Sequence, residues 1–152
     1  MNPFEELIRE LSFHMEVNLY PDMHQSCLIT FPQDELSIQI DLDANADQIL
    51  VGTQLGRITP GPYRERVFTQ TLKSNSRSQI PRGIFAFSEK NDALVLFQFL
   101  KIDKLNGEKL HAFLQRFREQ AKPWKKALAT GDIPIQEETA ANEGSGMFGL
   151  KP

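Results

Sequence analysis

The residue types best suited to nucleophilic or acid–base chemistry are one cysteine and three histidines: Cys27, His14, His24 and His111. A nucleophile needs a base within hydrogen-bond reach. None of the histidines stands in a recognisable motif with Cys27 or a serine, and the pattern predicts them on a helix, a loop and a helix. A single cysteine in the apolar run Cys27-Leu28-Ile29 is more simply a small core residue. It permits no intrachain disulfide, which fits a reducing compartment, and the histidines offer no zinc spacing. Asp41-Leu42-Asp43-Ala44-Asn45-Ala46-Asp47 puts oxygen ligands at alternate positions, as at the start of an EF-hand loop. The match then fails twice, because the sixth position is Ala46 instead of glycine and the twelfth is Gly52 instead of glutamate. An Asp- and Asn-rich turn between strands accounts for the run better. The glycines make no phosphate cradle: Gly52, Gly56 and Gly61 are spread over a strand and a proline turn, and no helix follows Gly144-Ser145-Gly146. The chain is therefore read as having no catalytic residues, no metal and no cofactor, and as not being an enzyme.

Basic residues gather at Arg116, Arg118, Lys122, Lys125 and Lys126, interleaved with Phe117 and Trp124, a pattern that nucleic-acid-binding helices share. The same stretch carries Glu108 and Glu119, cations are favoured at a helix C-terminus, and the whole chain has a formal net charge of -3. A solvated helix face is the simpler account. A nucleic-acid-binding or transcription-associated regulator is the alternative function. Met1-Asn2-Pro3-Phe4-Glu5-Glu6 has neither the basic nor the apolar region of a signal peptide. The longest apolar run, Ala93 to Phe97, is far too short to cross a bilayer. A cytoplasmic protein with no membrane or nucleic-acid partner is expected.

The elements that would position these residues follow from periodicity. Phe4, Leu7, Ile8, Leu11 and Met15 share one helical face, with Asn2 as cap, Pro3 at the first helical position and Glu5 completing a capping box. Cys27 to Phe31 reads as a short apolar strand. Leu36, Ile38, Ile40 and Leu42 alternate with polar residues, as do Ile49, Val51, Thr53 and Leu55 after a polar connection. Pro60-Gly61-Pro62 opens a second helix with the stripe Tyr63, Val67, Phe68 and Leu72, and Ser74 to Pro81 reads as a polar loop. Gly83 to Phe87 and Ala93 to Ile102 form a hairpin. A last helix begins near Asn106-Gly107-Glu108, with Leu110, Phe113, Leu114, Phe117, Ala121, Trp124 and Leu128 facing the core. Pro123 is expected to kink or interrupt it, and Gly131 to stop it. The order α-β-β-β-α-β-β-α predicts an α+β domain over residues 1–131, with helices packed on an antiparallel sheet. Residues 132–152 lack periodicity and read as a flexible tail.

The strand Ala93 to Ile102 is apolar on both faces: Leu94, Leu96, Leu100 and Ile102 on one, Val95, Phe97 and Phe99 on the other. Such a strand is central or lies against a partner. Together with Phe85, Phe87 and three amphipathic helices, it exceeds what a small sheet covers by itself. The excess marks an interaction surface, so a binding module is expected.

The element order, the small size and the sequence pI near 5.6 resemble the class I type III secretion chaperones of the Tir-chaperone (CesT/SycE-like) family. Phe4-Glu5-Glu6-Leu7-Ile8-Arg9-Glu10-Leu11 is similar to that family's opening helix, and Leu36 to Asp41 leading to Ile49-Leu50-Val51 to its second and third strands. Leu105-Asn106-Gly107-Glu108-Lys109-Leu110 and Gly131-Asp132-Ile133-Pro134 resemble chlamydial members, one of which chaperones a secretion gatekeeper. The resemblance implies a bacterial cytoplasmic protein that holds the chaperone-binding segment of a secreted effector or gatekeeper in extended form, without ATP. It implies a homodimer, with a heterodimer with a paralogous chaperone as the other arrangement and the secretion ATPase as a further partner. Cargo contacts are implied at Phe4, Leu7, Ile8, Leu11, Leu28, Ile29 and Phe31. Dimer contacts are implied at Tyr63, Val67, Phe68, Ile84, Phe85 and Phe87.

Overall fold

A computed structural model describes residues 2–43, 47–77 and 83–134 of the chain. Helix α1 spans Pro3–Met15 and begins as its first residues dictate: the Asn2 side chain accepts from the Glu5 backbone N–H at 2.7 Å, and the Asn2 backbone N–H donates to the Glu5 carboxylate at 3.2 Å. Each end of this capping box satisfies a donor that the first turn would leave unpaired. Strands β1 (Ser26–Phe31), β2 (Leu36–Leu42) and β3 (Gln48–Arg57) follow. Helix α2 (Pro62–Arg77), strands β4 (Ile84–Ser88) and β5 (Ala93–Lys101), and helix α3 (Gly107–Thr130) complete the order. The five strands form one antiparallel sheet in the order β1-β2-β3-β5-β4, which is the α+β architecture expected.

One face of the sheet is covered. Ile29, Ile38, Ile40, Ile49, Val51, Leu94 and Leu96 are buried there with the stripe of α1 and with Leu110, Leu114, Phe117 and Trp124 of α3. A bulge between Gln54 and Gly56 in β3 turns two adjacent residues toward the helical layer. Leu55 is buried, and a Cβ at Gly56 would lie 3.2 Å from Leu128 of α3.

Three local expectations change. Helix α2 does not give way to a loop at Ser74 but runs to Arg77; residues 78–82 lie outside the described residues. The polar run serves the helix, since the Asn75 side chain donates to the Phe85 carbonyl and accepts from the Phe85 N–H, both at 2.9 Å. Pro123 sits inside α3 without interrupting it. Proline removes one intrahelical bond, and buried Phe117, Ala121, Trp124 and Ala127 hold the helix on both sides of it. The Asp132 carbonyl accepts from the Tyr63 hydroxyl at 2.7 Å and Ile133 packs against the core, so the chain stays docked a few residues past Gly131. The rest of the expected tail, from Ile135 on, and Ala44 to Ala46 of the calcium-like run lie outside the described residues.

Candidate functional site

The residues first considered for catalysis are not assembled for it. Cys27 is buried in β1, and burial, with the charge of Asp22 adding to it, pushes its thiol up, away from the thiolate that nucleophilic chemistry needs. His14 and His111 stand 6.4 Å apart, ring centre to ring centre, on α1 and α3. Among the described residues no three His, Cys, Asp or Glu side chains come together as a metal site. Asp41 accepts from Ser26 and Gln39, and the Gln48 amide donates to Asp43 at 3.1 Å. Asp41 thus ties β1 to β2, and Asp43 ties the end of β2 to the start of β3. No helix among the described residues is long and apolar enough to cross a membrane.

Two edges and one face of the sheet remain to be accounted for. Strand β4 is one edge. Residues that bond its neighbour alternate with residues whose backbone faces outward, and at Phe85 both outward groups are taken by Asn75. Strand β1 is the other edge. The Leu42 N–H donates to the Gln25 carbonyl at 3.0 Å, which sets the phase: odd-numbered residues of β1 bond β2, and Ser26, Leu28 and Thr30 face out. The Ser26 groups are engaged by Asp22, whose side chain accepts from the Ser26 N–H at 3.0 Å and whose N–H donates to the Ser26 carbonyl at 2.8 Å. Among the described residues nothing bonds the outward backbone of Leu28 and Thr30, a short open edge, and the Leu28 side chain beside it is 60% exposed.

The face of the sheet that no described element covers is apolar at the β4–β5 end. Ile84 pairs across from Phe97, Phe99 lies 6.2 Å from Phe97 ring to ring, and Ile84 and Phe99 are exposed. This is the second face of β5 that its sequence left without cover. Toward β1 the face becomes polar, with Ser37, Gln39 and Asp41 of β2.

A sequence model of the Tir chaperone protein (CesT) family matches residues 6–125. The chain belongs to that family. No curated protein sequence matches this CesT-family chain, but solved structures share its fold. One is in the HopA1–SchA chaperone–effector complex, with a TM-score of 0.67 and 17% identity over 82% of this chain and 94% of the other. Another is in the Yersinia pestis type III secretion chaperone SycH bound to a YscM2 fragment (TM-score 0.64, 14% identity, 78% and 96% covered). A third is YbjN from E. coli, a candidate transcription regulator (TM-score 0.59, 18% identity, 84% and 93% covered). At these identities the likeness shows the fold alone; the family rests on the sequence match.

Within this CesT-family fold the residues implied for cargo separate sharply. Phe4, Leu7, Ile8, Leu11 and Ile29 all lie in the core, Ile8 and Leu11 with no exposed surface. Phe31 is half-buried beneath the Arg118 guanidinium, 3.9 Å from its ring, and Arg118 bonds Asp34 at 2.7 Å. Only Leu28 presents itself freely. Of the residues implied for dimerisation, Val67 and Phe85 are buried within the chain, Phe68 and Phe87 meet edge to face with ring centres 5.3 Å apart, Tyr63 is half-buried and Ile84 is exposed. Exposed Leu72 and Phe99 join Ile84 as apolar surface near these positions. Thr30 and Asn75 were not singled out from sequence. Their part lies in which backbone groups they leave open or close, and periodicity carries no sign of that.

Proposed function

We propose that this chain is a type III secretion chaperone that keeps a segment of a secreted effector or gatekeeper extended by adding it as a strand to the open edge of β1. The observation that carries this reading is on the β1 edge: among the described residues nothing bonds the outward backbone of Leu28 and Thr30, which lie beside an exposed apolar side chain, whereas on β4 the outward groups of Phe85 are taken by Asn75. Strand addition supplies affinity through main-chain bonds and specificity through alternate side chains. The family match and the chaperone–effector and chaperone–fragment complexes that share the fold support it. Held this way, a cargo segment is kept extended by backbone pairing and apolar contact alone, so no nucleotide is required. The basic helix gives the regulator reading little support, because Arg118 and Lys122 both lie on Asp34, at 2.7 and 3.8 Å.

The test uses the full chain recovered from its native cytosol, with co-purifying proteins identified by mass spectrometry and their bound segment mapped by hydrogen exchange. Thr30→Pro removes an N–H that no ladder bond uses, which edge strands tolerate, and its ring blocks an added strand. Capture is expected to fall about tenfold or more while the melting temperature stays close to wild type. Undiminished capture by a folded Thr30→Pro protein counts against edge addition.

We further propose that the chain pairs with a second copy, or with a paralogue, through Ile84, Phe97 and Phe99, with Leu72 of α2 nearby. Light scattering at high micromolar concentration is expected to give twice the monomer mass, and Phe99→Asp is expected to return it to the monomer. A strict monomer with no co-expressed relative on it sinks this part.

A further inference from the structure

The uncovered sheet face holds a groove of about 460 Å³ that the edge at β1 does not explain. Its floor is polar β2, with Ser37, Gln39 and Asp41. Leu28 forms one wall, and Leu50, Val95 and Phe97 form the other. Gly52 of β3 adds no side chain between the walls. The groove therefore runs along β2, and Ser37 to Asp41 spans about 13 Å of it, the length of a four- or five-residue extended segment.

One end of the groove carries a lysine for a specific reason. Strands β2 and β3 pair only from Gln39↔Gly52 to Leu42↔Ile49, and beyond that they diverge, with the Thr53 hydroxyl donating to the Ser37 carbonyl at 2.6 Å. Lys125 belongs to α3 on the covered side of the sheet, yet it lines the groove on the open side, beside Glu35, Ser37 and Thr53. It is the last of a row on α3. Arg118 in that row is paired with Asp34 and Lys122 with Asp34 and Glu119, while Lys125, half-buried, makes no ion pair among the described residues. The opposite end carries Asp41, whose carboxylate is already held by Ser26 and Gln39. Glu35 at the Lys125 end is exposed to solvent and is not paired with it.

We propose that this groove takes an extended segment of the cargo that places a carboxylate side chain on Lys125 and apolar side chains between Leu28 and Leu50, short of the Phe97 and Phe99 surface given to the second copy. The inference rests on the chaperone reading and adds to it a second contact, separate from the β1 backbone edge, that selects cargo by an acidic residue next to alternating apolar ones. The half-buried setting of Lys125 makes its charge less screened than that of a surface lysine, so a matching carboxylate is favoured there.

The test uses the full-length chain and two fluorescein-labelled synthetic peptides of sequence Glu-Thr-Val-Thr-Leu-Thr and Gln-Thr-Val-Thr-Leu-Thr, followed by fluorescence anisotropy. The glutamate peptide is expected to bind about threefold to fivefold more tightly. The preference should vanish in Lys125→Gln and in high salt, and persist in Lys125→Arg and in Lys126→Gln, whose lysine does not line the groove. Thermal melts of each variant show that the fold is retained. Equal affinity of wild-type protein for the two peptides overturns the proposal, as does a preference that survives Lys125→Gln, or binding of neither peptide. A change of dimer dissociation in Lys125→Gln, with no peptide preference, assigns the groove to the second copy and also overturns it. These failures leave the chaperone reading standing if native cargo is still lost on Thr30→Pro. Retention of cargo by Thr30→Pro, with the glutamate preference present, moves the contact from the edge to the groove.

Discussion

Gly107→Ala is expected to lower the melting temperature by about 7 °C, although helix propensity by itself favours alanine by up to about 1 kcal/mol. The reason is the seat of α1 on α3. A Cβ at position 107 would lie 2.5 Å from the Glu10 Cβ and 2.6 Å from its carbonyl carbon. The second of these is backbone, so no rotamer change relieves it. Helix α1 has to shift away from the start of α3, and that weakens the 2.8 Å bond from the Gly107 N–H to the Glu10 carboxylate. That carboxylate also sits where the helix dipole favours a negative charge. Overpacking costs about 1–3 kcal/mol and the weakened bond about 1 kcal/mol. At roughly 2–5 °C per kcal/mol for a domain of this size, the loss outweighs the propensity gain. Gly131→Ala is the control: nothing lies within 4 Å of its would-be Cβ, and only its φ of 76° opposes alanine, so a drop of about 1 kcal/mol is expected. Calorimetry checks both. A Gly107→Ala protein melting within 2 °C of wild type means that α1 and α3 are not in van der Waals contact there.

The same glycine shows what sequence can and cannot convey. Leu105-Asn106-Gly107-Glu108 is legible as a helix start, and Asn106 does cap α3, its side chain accepting from the Lys109 N–H at 2.8 Å. The need for glycine itself comes from Glu10, distant in the chain, and no local pattern encodes such a contact. The amphipathic elements were legible for a related reason: period and alternation state which residues share a face. They do not state what covers that face. Leu7 and Ile8 of α1 and Phe97 and Phe99 of β5 carry equally clear apolar patterns, yet the first pair is buried by α3 and the sheet while Phe99 is left 42% exposed. Likewise, Cys27 to Phe31 reads as a short apolar strand, and only the pairing with β2 shows Cys27 and Ile29 turned in and Leu28 turned out. The Asn75 closure of β4 was hidden because polar residues near a helix end read most simply as a loop.

Ile8→Asp is expected to abolish the fold, and effector capture with it. Ile8 has no exposed surface and sits with Phe4, Leu7 and Leu11 in the main core. Losing its side chain removes about 2–5 kcal/mol by cavity formation and lost transfer energy. The new carboxyl adds several more, because no partner is provided for it. The sum is comparable to the whole stability of an ordinary domain, about 5–15 kcal/mol. Near-UV circular dichroism should lose its aromatic signal, and no cooperative melt should remain at neutral pH. Burial would raise the folded-state pKa of the new carboxyl above its unfolded value, so the penalty is smallest at low pH and grows as the pH rises through the unfolded carboxylate range near 4. The gap to wild type should therefore narrow on acidification, which a mere loss of volume would not produce. Arg9→Ala at the next, solvent-exposed position loses only an exposed contact with Glu6 and should stay within about 0.5 kcal/mol of wild type. A folded Ile8→Asp protein with wild-type melting places the residue at the surface and contradicts the packing of α1. If such a protein also fails to capture cargo, the apolar face of α1 is itself the binding surface, and the edge at Leu28 and Thr30 is subsidiary to it.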